Sequence, residues 1–208
     1  MALENRLGIT DSAELARAEE SISKARALAL FETGALERLP VGVFAGLAEI
    51  HRQLFSEIYA FAGQLRTVNL AKGHFRFVPV LYLREAIAHI DRMPQASFAE
   101  IMEKYVEMNI AHPFREGNGR SMRIWLDAML KHALGQVVDW SRVDKEDYLF
   151  AMERSPVRDT ELKALLHAAL TDRICDREVY CKGIDTSYGY EGYATVQTQT
   201  LRVEAGKE

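Results

Sequence analysis

Asn109-Ile110-Ala111-His112-Pro113-Phe114-Arg115-Glu116-Gly117-Asn118-Gly119-Arg120-Ser121-Met122-Arg123 is the stretch on which the reading of this 208-residue chain turns. Pro113 disfavours the α region for the residue before it, so an incoming helix is expected to stop at His112. An imidazole placed there faces the negative end of that helix, which favours the protonated form it reaches after accepting a proton. Gly117 and Gly119 let the backbone turn and come close to a ligand. Asn118 is a good N-cap for an outgoing helix whose first N–H groups then suit phosphates. Arg120 and Arg123 follow at i and i+3, neighbours on that helix with planar donor forks that match phosphate oxygens. Glu116 adds a hard oxygen ligand of the sort that holds Mg²⁺ against nucleotide phosphates. A lone histidine is more often structural, and Gly-x-Gly is common in turns. A base, a carboxylate, a cradle and two cationic clamps within one junction instead fit phosphoryl or nucleotidyl transfer.

Outward from this junction the patterning is helical. Residues 12–32 carry Leu15, Ala18, Ile22, Leu28 and Phe31 at mostly helical spacing, with Gly34 as a stop. A second helix is expected over about 43–60, with Phe44, Leu47, Ile50, Leu54 and Ile58 on one face. Residues 65–70 and 75–78 alternate in the strand manner around Ala71-Lys72-Gly73-His74, which reads as a short hairpin with Gly73 in the turn. Helices are expected again at about 81–93, closed by Pro94, and at about 98–111, opened by the capping-box pair Ser97 and Glu100. Others follow at about 118–133, 144–153 and 159–170, and one more possible turn of structure at 184–193. The fold class is therefore mainly all-α, a helical bundle with a short β-hairpin. No linker divides it, so 1–208 reads as one domain.

Composition bounds what such a bundle does. Lys+Arg 26 against Asp+Glu 30 gives a net charge of −4, so no global basic field argues for nucleic acid. Yet residues 112–123 hold three arginines against one glutamate, a local +2. No apolar run approaches the roughly 18 residues that span a bilayer, and the first residues lack an apolar block of signal-peptide length. A cytoplasmic location with no membrane partner is expected. Cys175 and Cys181 make no disulfide framework.

The junction resembles the signature of the Fic family, His-x-Phe-x-(Asp/Glu)-Gly-Asn-Gly-Arg-x-x-Arg. His112, Phe114, Glu116, Gly117, Asn118, Gly119, Arg120 and Arg123 meet every defined position. Phe61-Ala62-Gly63-Gln64-Leu65-Arg66 and Lys72-Gly73-His74-Phe75-Arg76-Phe77 look like the family's flap hairpin, here about 66–78, with His74 where glycine is common. Ala151-Met152-Glu153-Arg154-Ser155-Pro156 resembles a helix end of close relatives, and the likeness spans about 20–195, with the core at about 20–180.

What the resemblance implies is a protein adenylyltransferase that moves AMP from ATP to a hydroxyl side chain of a target protein. His112 would be the catalytic base and Glu116 the Mg²⁺ ligand. Gly117, Asn118 and Gly119 would cradle phosphate oxygens, with Arg120 on the β and Arg123 on the γ side. Phe114 would anchor the loop in the core. Lys72, Gly73 and Phe75 would lie near the nucleotide or the target, which would add a strand to the flap. By resemblance to bacterial relatives, the target would be a DNA topoisomerase subunit such as gyrase B.

Ile184-Asp185-Thr186-Ser187-Tyr188-Gly189-Tyr190-Glu191-Gly192-Tyr193 resembles the family's inhibitory motif (Ser/Thr)-x-x-x-Glu-(Gly/Asn), through Ser187, Glu191 and Gly192. It implies an inhibitory helix at about 184–193 carried by the chain itself rather than supplied by an antitoxin. Glu191 is expected to pair bidentately with Arg123 and deny that fork to the γ-phosphate. Tyr188 is the first candidate for self-modification, and a homo-oligomer is expected. Three rivals compete with AMP transfer: a kinase-like branch, which loses the Gly-Asn-Gly pattern kept here; removal of AMP by the same site; and a non-catalytic nucleotide-binding regulatory module.

Overall fold

The computed structural model describes residues 2–73, 75–192 and 195–201. Asp11 opens the first helix by accepting the N–H of Glu14 at 2.8 Å, and α1 runs Ser12–Glu32. Its inward face is less apolar than the expected stripe. Leu15, Ala27, Leu28 and Leu30 are buried beside Glu19, Glu20, Ser23 and Lys24, whereas Ala18, Ile22 and Phe31 are only half-buried. The helix α2 (Phe44–Phe55) ends earlier than 60, with Ser56 as its C-cap, although Ile58 remains in the core.

The hairpin consists of β1 (Ala71–Lys72) and β2 (Phe75–Arg76), antiparallel with Ala71 opposite Arg76. Ala71 and Lys72, read as turn, are thus strand, and residues 65–70 are not. They are tied elsewhere: the Arg66 N–H donates to the Pro113 carbonyl at 2.8 Å, and the Asn69 side-chain Oδ1 accepts the Val80 N–H at 2.9 Å. His74 lies outside the described residues.

Then come α3 (Val80–Asp91), α4 (Phe98–Ala111) and α5 (Asn118–Leu134). The capping box at Ser97 and Glu100 is formed, and Gly135 closes α5 in the left-handed region (φ 65°). The helices α6 (Lys145–Arg154) and α7 (Thr160–Ala168) match their expected positions. A second two-stranded ladder had no local signal: β3 (Val137–Val138) pairs with β4 (Leu170–Thr171).

The last helix is longer and earlier than the motif suggested. It runs Arg177–Gly189 as α8, capped by Asp176, which accepts the N–H groups of Glu178 and Val179 at 2.8 and 3.1 Å. Glu191 stands in the turn after it, and Tyr193 lies outside the described residues. Among the described residues there are eight α-helices, and α5 packs against α2, α4 and α8 while α1 covers α2 and α8. Tyr105, Trp125, Leu126 and Leu130 are buried at the centre. No helix among the described residues is long and apolar enough to cross a membrane.

Candidate active site

His112 caps α4 in the left-handed region (φ 49°, ψ 63°) and is the only non-glycine residue with positive φ among those described. Pro113 closes the αR region to it, and the chain leaves the helix through αL instead. The neighbours hold this conformation. The His112 carbonyl accepts Arg66 Nε at 2.8 Å, and the imidazole stacks on Phe77 with centroids 3.8 Å apart. Burial pushes the His112 pKa down to about 4, opposed by the Asn109 carbonyl and aided by Arg66 and Lys72. The expected preference for the protonated form is therefore reversed. Loss of water outweighs the helix end, and the imidazole stays neutral and able to accept a proton.

The loop from 113 to 117 is fixed from beneath. Phe114 is fully buried, with its ring 3.8 Å from His51 and 5.9 Å from Phe44. His51 Nδ1 accepts the Gly63 N–H at 2.9 Å, so the proton sits on Nε2, 2.8 Å from the Glu116 carbonyl. Burial lowers the His51 pKa to about 4, so it too remains neutral. Sequence reasoning passed over His51, whose one signal was its place beside the apolar face of α2.

Gly117, not Asn118, is the N-cap of α5, at φ 75°. Asn118 turns back instead: Oδ1 accepts the Phe114 N–H at 2.8 Å and Nδ2 donates to the Phe114 carbonyl at 2.7 Å. The side chain expected to cap the helix ties the loop shut. A Cβ on Gly117 would stand 2.5 Å from the Phe55 ring, and one on Gly119 would stand 2.9 Å from Glu191 Oε1 and 3.0 Å from Arg123 Nη1. Close approach to the start of α5 thus depends on both glycines.

Arg120 and Arg123 are both buried. Arg120 pairs with Glu19 of α1, with Glu116 at 3.0 Å and, through Nε, with Glu191 Oε2 at 2.6 Å. Arg123 donates from Nε to Ser187 Oγ at 2.5 Å, and from Nη2 to the Ser187 carbonyl at 2.9 Å and Glu191 Oε1 at 3.3 Å. Ser187 takes much of the Arg123 fork, so Glu191 bridges the two guanidiniums instead of pairing bidentately with Arg123. Burial alone would weaken the Arg120 charge; Glu191 and Glu19 hold its pKa well above the ordinary value. Glu19 carried no signal in sequence, since it lies on a distant helix.

The remaining expected residues fall around this centre. Glu116 is half-exposed, its Oε1 accepts the Gly117 N–H at 2.9 Å, and burial raises its pKa against the pull of Arg120. Lys72 and Gly73 are exposed on the flap, and Phe75 meets Phe77 edge-on at 5.3 Å. Gly192 adopts φ 90° just after Glu191. Tyr188 is buried, its ring 5.2 Å from the Arg120 guanidinium, and burial raises its hydroxyl pKa to about 12. Among the described residues no three His, Cys, Asp or Glu side chains gather to hold a metal. A single carboxylate beside an anion seat leaves the other positions to phosphate oxygens and water, which is the habit of Mg²⁺.

The Fic/DOC family profile matches residues 44–130, from the start of α2 to near the end of α5. The chain is 32% identical over 183 residues to the probable protein adenylyltransferase Fic of Salmonella typhimurium, covering 82% of this chain and 88% of that one. The chain belongs to the Fic/DOC family. The probable protein adenylyltransferase Fic of Escherichia coli is 32% identical over 169 residues, 76% of this chain and 81% of that one. BepC of Bartonella tribocorum, crystallised with AMPPNP, shares the fold at a TM-score of 0.66 and 20% identity, over 82% of this chain and 93% of that one. By this kinship the Fic chain is an ATP-dependent nucleotidyltransferase.

Proposed function

We propose that this Fic protein transfers AMP from ATP to a hydroxyl side chain of a target protein, and that its own tail restrains it. The observation that carries the reading is a neutral, buried imidazole joined by one short loop to a glycine-lined helix start with two buried arginines. The target hydroxyl attacks the α-phosphorus of ATP, the bond to the β-phosphate oxygen breaks, and pyrophosphate leaves. His112 takes the hydroxyl proton. The N–H groups at the start of α5 receive phosphate oxygens, with Arg120 and Arg123 neutralising the β and γ groups. Glu116 would hold Mg²⁺, which when bound offsets negative charge on the phosphates.

Glu191 supports the restraint. It places a carboxylate on the two cations that the β- and γ-phosphates need, so nucleotide that does bind sits misplaced for attack. The exposed flap offers its edge to the target, and a DNA topoisomerase subunit such as gyrase B is the acceptor to try first. Self-modification at Tyr188 requires the last turn of α8 to leave, after which the added bulk and charge keep it out. Release of this kind would accompany dissociation of a homo-oligomer.

The test is incorporation of label from α-labelled ATP into protein. Glu191→Gly should raise it about tenfold, the factor that 1.4 kcal/mol of lost competition carries, and His112→Ala should abolish it. Equal labelling by wild type and Glu191→Gly would remove the restraint from this account. Mass spectrometry of the active variant with no AMP on the tail would remove Tyr188.

A further inference from the structure

Arg66 is 4% exposed, and no ion pair among the described residues includes it. Burying a guanidinium without a carboxylate is unfavourable unless its donors are otherwise met. Here four backbone carbonyls meet them. Nε donates to His112 at 2.8 Å, Nη1 to Val68 at 2.8 Å, and Nη2 to Ala111 at 3.1 Å and to Val78. Two of these carbonyls end α4, on which His112 sits, and the other two flank the flap hairpin on either side. The Arg66 N–H also donates to the Pro113 carbonyl at 2.8 Å, and the Val78 N–H to the Ile110 carbonyl at 3.1 Å. Between those attachments lies Phe77, whose ring stacks on the imidazole at 3.8 Å.

We infer that Arg66 is a positioning residue for AMP transfer. It acts as a strut that fixes the height of the flap over His112, and through Phe77 the orientation of the imidazole. This rests on the reading that the flap presents the target hydroxyl. Only a planar fork with five donors serves four carbonyls at once, so lysine is not a conservative replacement. The four side-chain hydrogen bonds of Arg66 go to the end of α4 and the flanks of the flap, none of them to the start of α5.

The experiment uses the full chain carrying Glu191→Gly as the released parent, with Arg66→Lys and Arg66→Met added in turn. Label from α-labelled ATP is followed into the proteins of a bacterial lysate, and ATP affinity is measured by calorimetry on the same preparations. The transfer rate should fall at least about tenfold in Arg66→Lys and further in Arg66→Met, with ATP affinity within about twofold and the helical circular-dichroism signal kept. Transfer by Arg66→Lys within twofold of the parent would overturn the inference. So would a parallel loss of ATP affinity, or failure of both variants to fold, because either makes Arg66 a core residue only. A parent that labels nothing would sink the proposed function itself and the inference with it.

Discussion

Burial keeps one imidazole basic well below the ordinary histidine range. His112 is held at a pKa of about 4 by burial, so its basic form persists as pH falls past the ordinary histidine value near 6.5. In the Glu191→Gly background, the rate of AMP transfer should show no acidic limb near 6.5, and any loss at lower pH would include protonation of Glu116, whose pKa burial raises; a limb near 6.5 would contradict the burial argument. Stability should follow the same sign. His51 and His112 have depressed folded pKa values, so the stability they contribute is present above the unfolded value and lost on acidification from 6.5 toward 4. Urea midpoints measured across that window would show it. At this scale the motif residues were legible because they fall within one junction. His51 and Glu19 were not, and Arg66 was read only as part of the flap stretch, since each acts across long sequence separations and none interrupts a local pattern.

Among the elements, α8 would hold Glu191 in place for the proposed restraint, and its supports can be weakened without touching a cation of the site. Asp176 caps its start, and Lys145 donates to the Gly189 carbonyl at its end at 2.9 Å. Asp176→Ala should cost α8 about 1 kcal/mol, and basal labelling from α-labelled ATP should rise rather than fall. Unchanged labelling would mean that the helix is held by its packing alone. Elements bounded by caps were readable from sequence: Ser97 with Glu100, Pro113 and Gly135 each marked an end that the fold respects. The flap strands were misplaced because hydrogen bonds to the end of α4 take the backbone that alternation assigned to a sheet. The boundaries of α8 were missed because the inhibitory spacing drew them around Glu191, whereas Asp176 and Gly189 define the helix. The β3–β4 ladder is two residues a side, too short for any period to register.

For the whole molecule, the site is a stability problem: Glu191 bridges two buried guanidiniums, and on the proposed reading nucleotide phosphates would take its place. Removing one partner of a buried charge group costs about 3–5 kcal/mol. Glu191→Gly leaves Arg120 with Glu19 and Glu116 but takes the bridging carboxylate from between it and Arg123. Its melting temperature should therefore lie below that of the wild type, and saturating ATP should raise it by more than it raises the wild type. Differential scanning fluorimetry with and without ATP checks both signs. The −4 net charge gives no hint of this, because the cations concerned are buried and already matched by carboxylates from α1, the motif loop and the tail.

Gly119 bears on how the proposed restraint would be lost by mutation. Any side chain there meets Glu191 and Arg123 together, so a change that displaces the carboxylate also crowds the start of α5, where the proposed phosphates would bind. On the proposed restraint, alleles that release the enzyme without disabling it would be sought at Ser187, Glu191 and the supports of α8 rather than at Gly119. Under the proposed restraint the motif loop would answer to catalysis and inhibition at once, and the tail alone would be left to drift toward permanent activity.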